Sequence, residues 1–108
     1  FFKLEKRDGS FFCGDTMFAV EKKPLKEQSA YEGAIRPDDI MILDDSGPHP
    51  DHNVIAGTVL VRTYLGQSYQ YKVHTLFGDL FVNNSSDVLL EAGDPIRIYI
   101  PPVRLVVV

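Results

Sequence analysis

VIAGTVLVRTYLGQSYQYKVHTLFGDLFV, residues 54–82, places apolar and polar side chains in alternation between glycine-containing turns. Tyr69, Tyr71 and Val73 alternate with Gln70, Lys72 and His74, the period-two pattern of a half-buried strand. Val54 to Leu65 reads as the long strand before it, with Gly66-Gln67 as the turn between them. Gly78-Asp79 puts glycine first, as a type II′ hairpin requires, and Leu80-Phe81-Val82 returns.

The same punctuation extends in both directions. Asp8-Gly9 between Leu4–Arg7 and Ser10–Cys13 suits a type I′ hairpin, because both residues accept positive φ. Gly14-Asp15 then opens a third strand, Thr16 to Lys22. Tyr31 to Leu43 reads as two extended pieces broken at Arg36-Pro37, since the residue before proline is pushed away from the helical region. Downstream, Ser86 to Ala92 is the one helix candidate, a single turn capped by Ser86 or Asp87 and stopped at Gly93. Ile96, Ile98 and Ile100 share a face opposite Arg97 and Tyr99, Pro101-Pro102 breaks that strand, and Val103 to Val108 makes a last one. Short strands at this spacing close into a small barrel to remove their edges. The expected fold is therefore all-β, a small oligonucleotide/oligosaccharide-binding (OB)-like barrel of short antiparallel strands with at most one short helical turn.

A chain of 108 residues holds one core, so residues 1–108 are expected to form one domain. Front hairpins occupy about 1–43, an acidic loop 44–53 and a meander 54–108. At 44% apolar and 24% charged the composition is globular, and no run approaches the roughly 20 apolar residues that cross a bilayer. A lone cysteine, Cys13, forbids an internal disulfide and thiol metal clusters. The charges are unevenly placed: residues 1–26 carry six basic and four acidic groups, 27–53 one and seven, 54–108 four and four. No basic groove for phosphates follows from that distribution, which disfavours nucleic acid as a partner. The chain does not open on Met and enters strand-like sequence at once, which predicts a C-terminal piece of a longer protein.

Candidate chemistry is thin. His49, Asp51 and His52 stand close, but His-x-x-His without a further ligand is a weak metal signal, and a solvated loop is the expectation. His74 has no Ser, Cys or Asp at a recognised catalytic spacing. Asp38-Asp39 and Asp44-Asp45 are adjacent pairs, and neighbours on an extended chain point to opposite faces rather than at one substrate. There is no GxxxxGK followed by Ser or Thr and no GxGxxG, so the chain is expected to lack catalytic, cofactor and metal sites of its own. Tyr64, Tyr69, Tyr71 and Tyr99 could form a stacking platform for bases, but only Arg62, Lys72 and Arg97 lie near, and packing is the expectation. The Arg36-Pro37-Asp38-Asp39 motif stands out: Pro37 fixes φ, Arg36 ends a strand, and Asp38 and Asp39 enter a turn where their side chains can cap free amides. Arg36 is expected to pair with a carboxylate of the acidic segment or across a dimer contact.

Gly33-Ala34-Ile35-Arg36-Pro37-Asp38-Asp39-Ile40 resembles the G-I-R-P-E-D-I signature in the carboxy-terminal regions of ATP-binding subunits of ABC importers, with Ala34 extra or substituted and Asp38 in place of Glu. Gly57–Gly66 resembles that family's G-x-V-x-x-x-x-Y-L-G strand, and Leu90–Ile98 its closing L-x-x-G-D-x-V-x-V element. All three occur in the family's order, and the resemblance is to the transport-associated OB (TOBE) region. It implies a non-catalytic regulatory and dimer-stabilising domain of an importer subunit of the sugar, polyamine or iron uptake type, with Arg36, Pro37, Asp38 and Asp39 as a structural or interface motif. The implied partners are the subunit's own N-terminal ATPase domain, a second copy and, indirectly, the permease, with no nucleic acid and no membrane insertion. ATP and Mg are implied only for the nucleotide-binding domain, and the implied location is cytoplasmic, peripheral to the membrane. The alternatives are a TOBE module binding a small oxyanion, for which only Ser68, Lys72, Ser85 and Ser86 offer scattered donors, and an OB-type nucleic-acid binder.

Overall fold

In the computed structural model, which describes residues 2–21, 27–28, 30–43, 50–84 and 89–108, ten strands form two five-stranded antiparallel sheets. The strands are β1 (Phe2–Arg7), β2 (Ser10–Cys13), β3 (Thr16–Phe18), β4 (Tyr31–Ala34), β5 (Met41–Ile42), β6 (Val54–Tyr64), β7 (Tyr69–Thr75), β8 (Gly78–Asn84), β9 (Pro95–Tyr99) and β10 (Val106–Val107). The first sheet runs β10-β4-β1-β2-β3 and the second β5-β9-β6-β7-β8. One 3-10 turn, Pro37–Asp39, is the helical structure among the described residues.

The front follows its turn chemistry. Asp8 (φ 51°) and Gly9 (φ 82°) both take the left-handed region that a type I′ turn needs, and Arg7 faces Ser10 across the hairpin. Phe2 and Leu4 point inward while Lys3 and Glu5 point out. Gly33 of β4 lies opposite Phe2, whose ring fills the space a side chain at Gly33 would take, 2.6 Å from where its Cβ would stand.

Four expectations are corrected. The third strand stops at Phe18 rather than Lys22, because the N–H and carbonyl of Ala19 are taken by the side chain of Asn53 at 2.7 and 3.1 Å; residues 22–26 lie outside the described residues. The β7–β8 turn is Leu76-Phe77, not Gly78-Asp79: Thr75 pairs with Gly78, and the Thr75 hydroxyl accepts from the Phe77 N–H at 3.0 Å and donates to the Gly78 carbonyl at 2.7 Å. The expected helical turn at Ser86–Ala92 is not one where it is described. Leu89–Glu91 are irregular, and the Asp94 carboxylate accepts from the Glu91 N–H at 2.8 Å to close a turn through Gly93; residues 85–88 lie outside the described residues. The last strand shrinks to Val106–Val107 because Pro101-Pro102 opens a turn, Arg104 donating to the Pro101 carbonyl at 3.0 Å.

Burial in the meander follows the alternation. Tyr71, Val73, Val59 and Val82 are fully buried on one face, and Ile96 and Ile98 of β9, with Ile100 just after it, join them. Phe2, Leu4, Phe11, Phe18 and Tyr31 from the first sheet, with Leu105 just ahead of β10, complete one continuous cluster, with Phe2 and Phe18 rings 5.3 Å apart and Phe11 set edge-on to Tyr31. The second sheet curls until β8 comes beside the 3-10 turn and β5, the all-β, OB-like half-barrel expected from the strand pattern. No helix among the described residues is long and apolar enough to cross a membrane.

Candidate functional site

The Arg36–Asp39 corner is a bend with a defined cause. Ahead of Pro37, Arg36 is extended (φ −77°, ψ 144°); Pro37 supplies the first helical φ, and the Asp39 N–H donates to the Arg36 carbonyl at 3.0 Å. Ile40 returns to extended geometry and is buried, which pins the corner to the core. Arg36 does not end β4, which stops at Ala34, but lies in the link after it. Among the described residues neither Asp38 nor Asp39 accepts from a backbone amide, contrary to expectation, and the N-cap residue Arg36 makes no side-chain cap. Asp38 instead reaches sideways: its Oδ1 accepts from Asn83 Nδ2 at 2.7 Å, and Asn83 Oδ1 accepts from Gln70 Nε2 at 3.0 Å. A charge-assisted bond and an amide bond thereby tie the corner across β8 to β7. Arg36 finds a carboxylate of the acidic segment, Asp38 Oδ2 at 3.5 Å, with both side chains more than half exposed. Such a surface pair contributes about 0–1 kcal/mol, so the corner is held by Pro37, Ile40 and Asn83 rather than by Arg36.

The other sequence candidates separate. His49, Asp44, Asp45, Ser85 and Ser86 lie outside the described residues. His52 packs edge-on near Tyr99 at 6.5 Å, and among the described residues no three His, Cys, Asp or Glu side chains gather as metal ligands. Ser68 and Lys72 are four residues apart along one strand direction, about 13 Å at the rise of an extended chain, and do not converge on one anion. The four tyrosines do not make a platform: Tyr71 is fully buried and its hydroxyl accepts from the Leu90 N–H at 3.1 Å. Tyr64 and Tyr69 pack 5.2 Å apart with the Arg62 guanidinium 5.5 Å over Tyr69.

Sequence reading missed two residues and misjudged a third. Asn53, fully buried with φ 60°, is the junction of three segments: its N–H donates to the Met17 carbonyl, its side chain bonds both polar backbone groups of Ala19, and its Nδ2 donates to the Ile100 carbonyl at 2.8 Å. An Asn closing a polar loop before a strand was the available signal, since Asn tolerates the left-handed region. Asp79 pairs with His74, Nδ1 to Oδ1 at 2.8 Å, with Lys72 3.9 Å from its other oxygen. His74 therefore has a carboxylate neighbour that its spacing in sequence conceals. Cys13 is a strand residue as expected, 1% exposed, and burial pushes its thiol up to about 11.

The TOBE domain family model matches residues 33–108, from the middle of β4 to the end of the chain. The match takes in the Arg36–Asp39 corner, the whole second sheet, and the two strands, β4 and β10, that anchor the first. No curated protein matches the chain. Strands β1 to β3 precede the matched residues yet continue the sheet of β4, β1 pairing in register with β4, β2 with β1 and β3 with β2, so one continuous core serves both parts. The chain belongs to the TOBE domain family.

Proposed function

We propose that this chain is the non-catalytic, regulatory and dimer-stabilising C-terminal domain of the ATP-binding subunit of an ABC-type solute importer. The observation that carries the reading is the TOBE match over residues 33–108, within which the three stretches that resemble importer-subunit motifs occur in that family's order. The geometry supports it: the most distinctive motif, Arg36–Asp39, is a surface corner braced by Asn83, suited to fixing a shape for a neighbour to read rather than to moving protons. In this reading ATP and Mg act in a nucleotide-binding domain ahead of Phe1. The partners are that domain, a second copy of the subunit and, through them, the permease on the cytoplasmic side of the membrane.

The test compares the native gene product with a version ending immediately before Phe1. The shortened subunit is expected to keep hydrolysing ATP while its self-association weakens by about tenfold or more. Loss of ATP hydrolysis with self-association unchanged would contradict the proposal.

A further inference from the structure

The tip of the β7–β8 hairpin joins the second sheet to the first. Phe77 lays its ring over Gly14 in the β2–β3 turn, where the missing Cβ and a φ of 61° let the ring approach. The tip is closed by Thr75, whose hydroxyl accepts from the Phe77 N–H and donates to the Gly78 carbonyl. One rung below that closing pair, His74 stands opposite Asp79, and the two side chains meet at 2.8 Å, Nδ1 to Oδ1. The other oxygen of Asp79 lies 3.9 Å from Lys72 Nζ. A carboxylate only accepts, so the neutral imidazole carries its proton on Nδ1 and leaves Nε2 to take up the next one. Charging His74 therefore needs no rearrangement of the rung: the same Nδ1–H bond passes from neutral to charge-assisted, which is about twice as strong.

We propose that His74 and Asp79 form a proton-controlled latch, which tightens the β7–β8 tip and with it the Phe77 contact between the sheets as pH falls through the range in which histidine gains its charge, about pH 8 to 5. The charges around His74 favour this direction. On its own strand the neighbour is Lys72, which Asp79 already answers, and from β8 comes Asp79 itself. From β6 the residue opposite is Thr58, which is uncharged, and Arg97 of β9 faces Ala56 one strand further away. The β2–β3 turn carries Asp15 next to Gly14, yet among the described residues Asp79 is the carboxylate within ion-pair distance of His74. The other bonds of the tip, from the Thr75 hydroxyl and the Phe77 ring, do not titrate, so the rung below them is what pH can move. His74 is more than half exposed, which limits the effect to a factor of up to about five in the opening equilibrium. The latch is a property of this chain alone and stands or falls independently of the importer reading.

The amide of Phe77 reports on the tip, because its N–H is bonded only while Thr75 closes the turn. Its exchange with water is read by NMR at about pH 5.5 and about pH 8 in low salt, each rate divided by that of an unfolded peptide of the same sequence at the same pH. Protection in the native chain is expected to be about two- to fivefold greater at the lower pH. In His74→Gln, and separately in Asp79→Asn, that difference is expected to vanish. Equal protection at the two pH values in the native chain overturns the proposal. A difference that survives either substitution overturns it as well, since another group, such as His52, would then be the one that titrates.

Discussion

Asn53 shows how much one side chain can decide. Its amide satisfies Ala19 and Ile100 at once, and its own backbone sits at φ 60°, a conformation costing most residues about 1–2 kcal/mol. Asn53→Ala removes the amide and keeps the strain, and is expected to destabilise by about 2–4 kcal/mol in urea unfolding. Asn53→Gly also loses the bonds but relieves the strain, and should retain about 1 kcal/mol of that loss. Equal effects from the two substitutions would mean that the backbone conformation is not under strain. At the Arg36 corner, Arg36→Ala is expected to change stability by no more than about 0.5 kcal/mol, whereas Asp38→Ala, which leaves Asn83 without its acceptor, costs about 1 kcal/mol. The reverse order in thermal unfolding would show that the ion pair, not the amide link, holds the bend. Cys13 adds a pH effect. Its folded thiol is raised from 9.0 to about 11, so the folded state holds a proton that the unfolded state releases. Stability from this source is full below pH 9 and is lost as pH rises toward 11. A Cys13→Ser chain should lack that part of the alkaline decline, and the native thiol should react with a disulfide reagent only as fast as the protein opens.

At the scale of the element, the β7–β8 hairpin explains why some of the fold was legible and some was not. Centring the turn on Gly78-Asp79 pairs Phe77 with Leu80; the actual turn pairs Thr75 with Gly78. The partner of every β7 residue moves by four positions, an even number, so each side chain stays on its own face. That is why the buried face of Tyr71, Val73 and Val82 was readable from alternation while the His74–Asp79 pair was not. Turn position depends on whether a hydroxyl such as that of Thr75 can close the loop, and periodicity carries no such information. Lengths failed for a similar reason: β3 ends early where Asn53 takes the backbone groups of Ala19, and β10 starts late where the Pro101 carbonyl takes the N–H of Arg104. The glycines offer a test of the contact between sheets. A Cβ at Gly66 (φ 98°) meets nothing, so Gly66→Ala is expected to cost about 1 kcal/mol, the price of its φ alone. At Gly14 the same substitution also collides with the Phe77 ring, so Gly14→Ala should cost about 2–3 kcal/mol. Equal costs in chemical denaturation would show that the β7–β8 tip is not packed on the β2–β3 turn.

For the whole molecule, the apolar alternation specifies two curled sheets around one core, and the all-β, OB-like class follows from it without reference to any relative. The candidate site was legible only as a motif. Arg36-Pro37-Asp38-Asp39 could be read as a strand-turn corner from the chemistry of proline, but its brace, Asn83, lies 45 residues away and becomes a neighbour only when β8 curls onto the corner. The central claim is the proposal that this TOBE domain belongs to a larger machine whose chemistry lies in another domain, which the motif order and the family match support. The most direct test is to read the native gene immediately upstream of the codon for Phe1. An open frame is predicted, carrying GxxxxGK followed by Ser or Thr roughly two hundred or more residues earlier. A stop codon in frame directly before Phe1, or a start codon there, would contradict the account and make this chain a free-standing TOBE module.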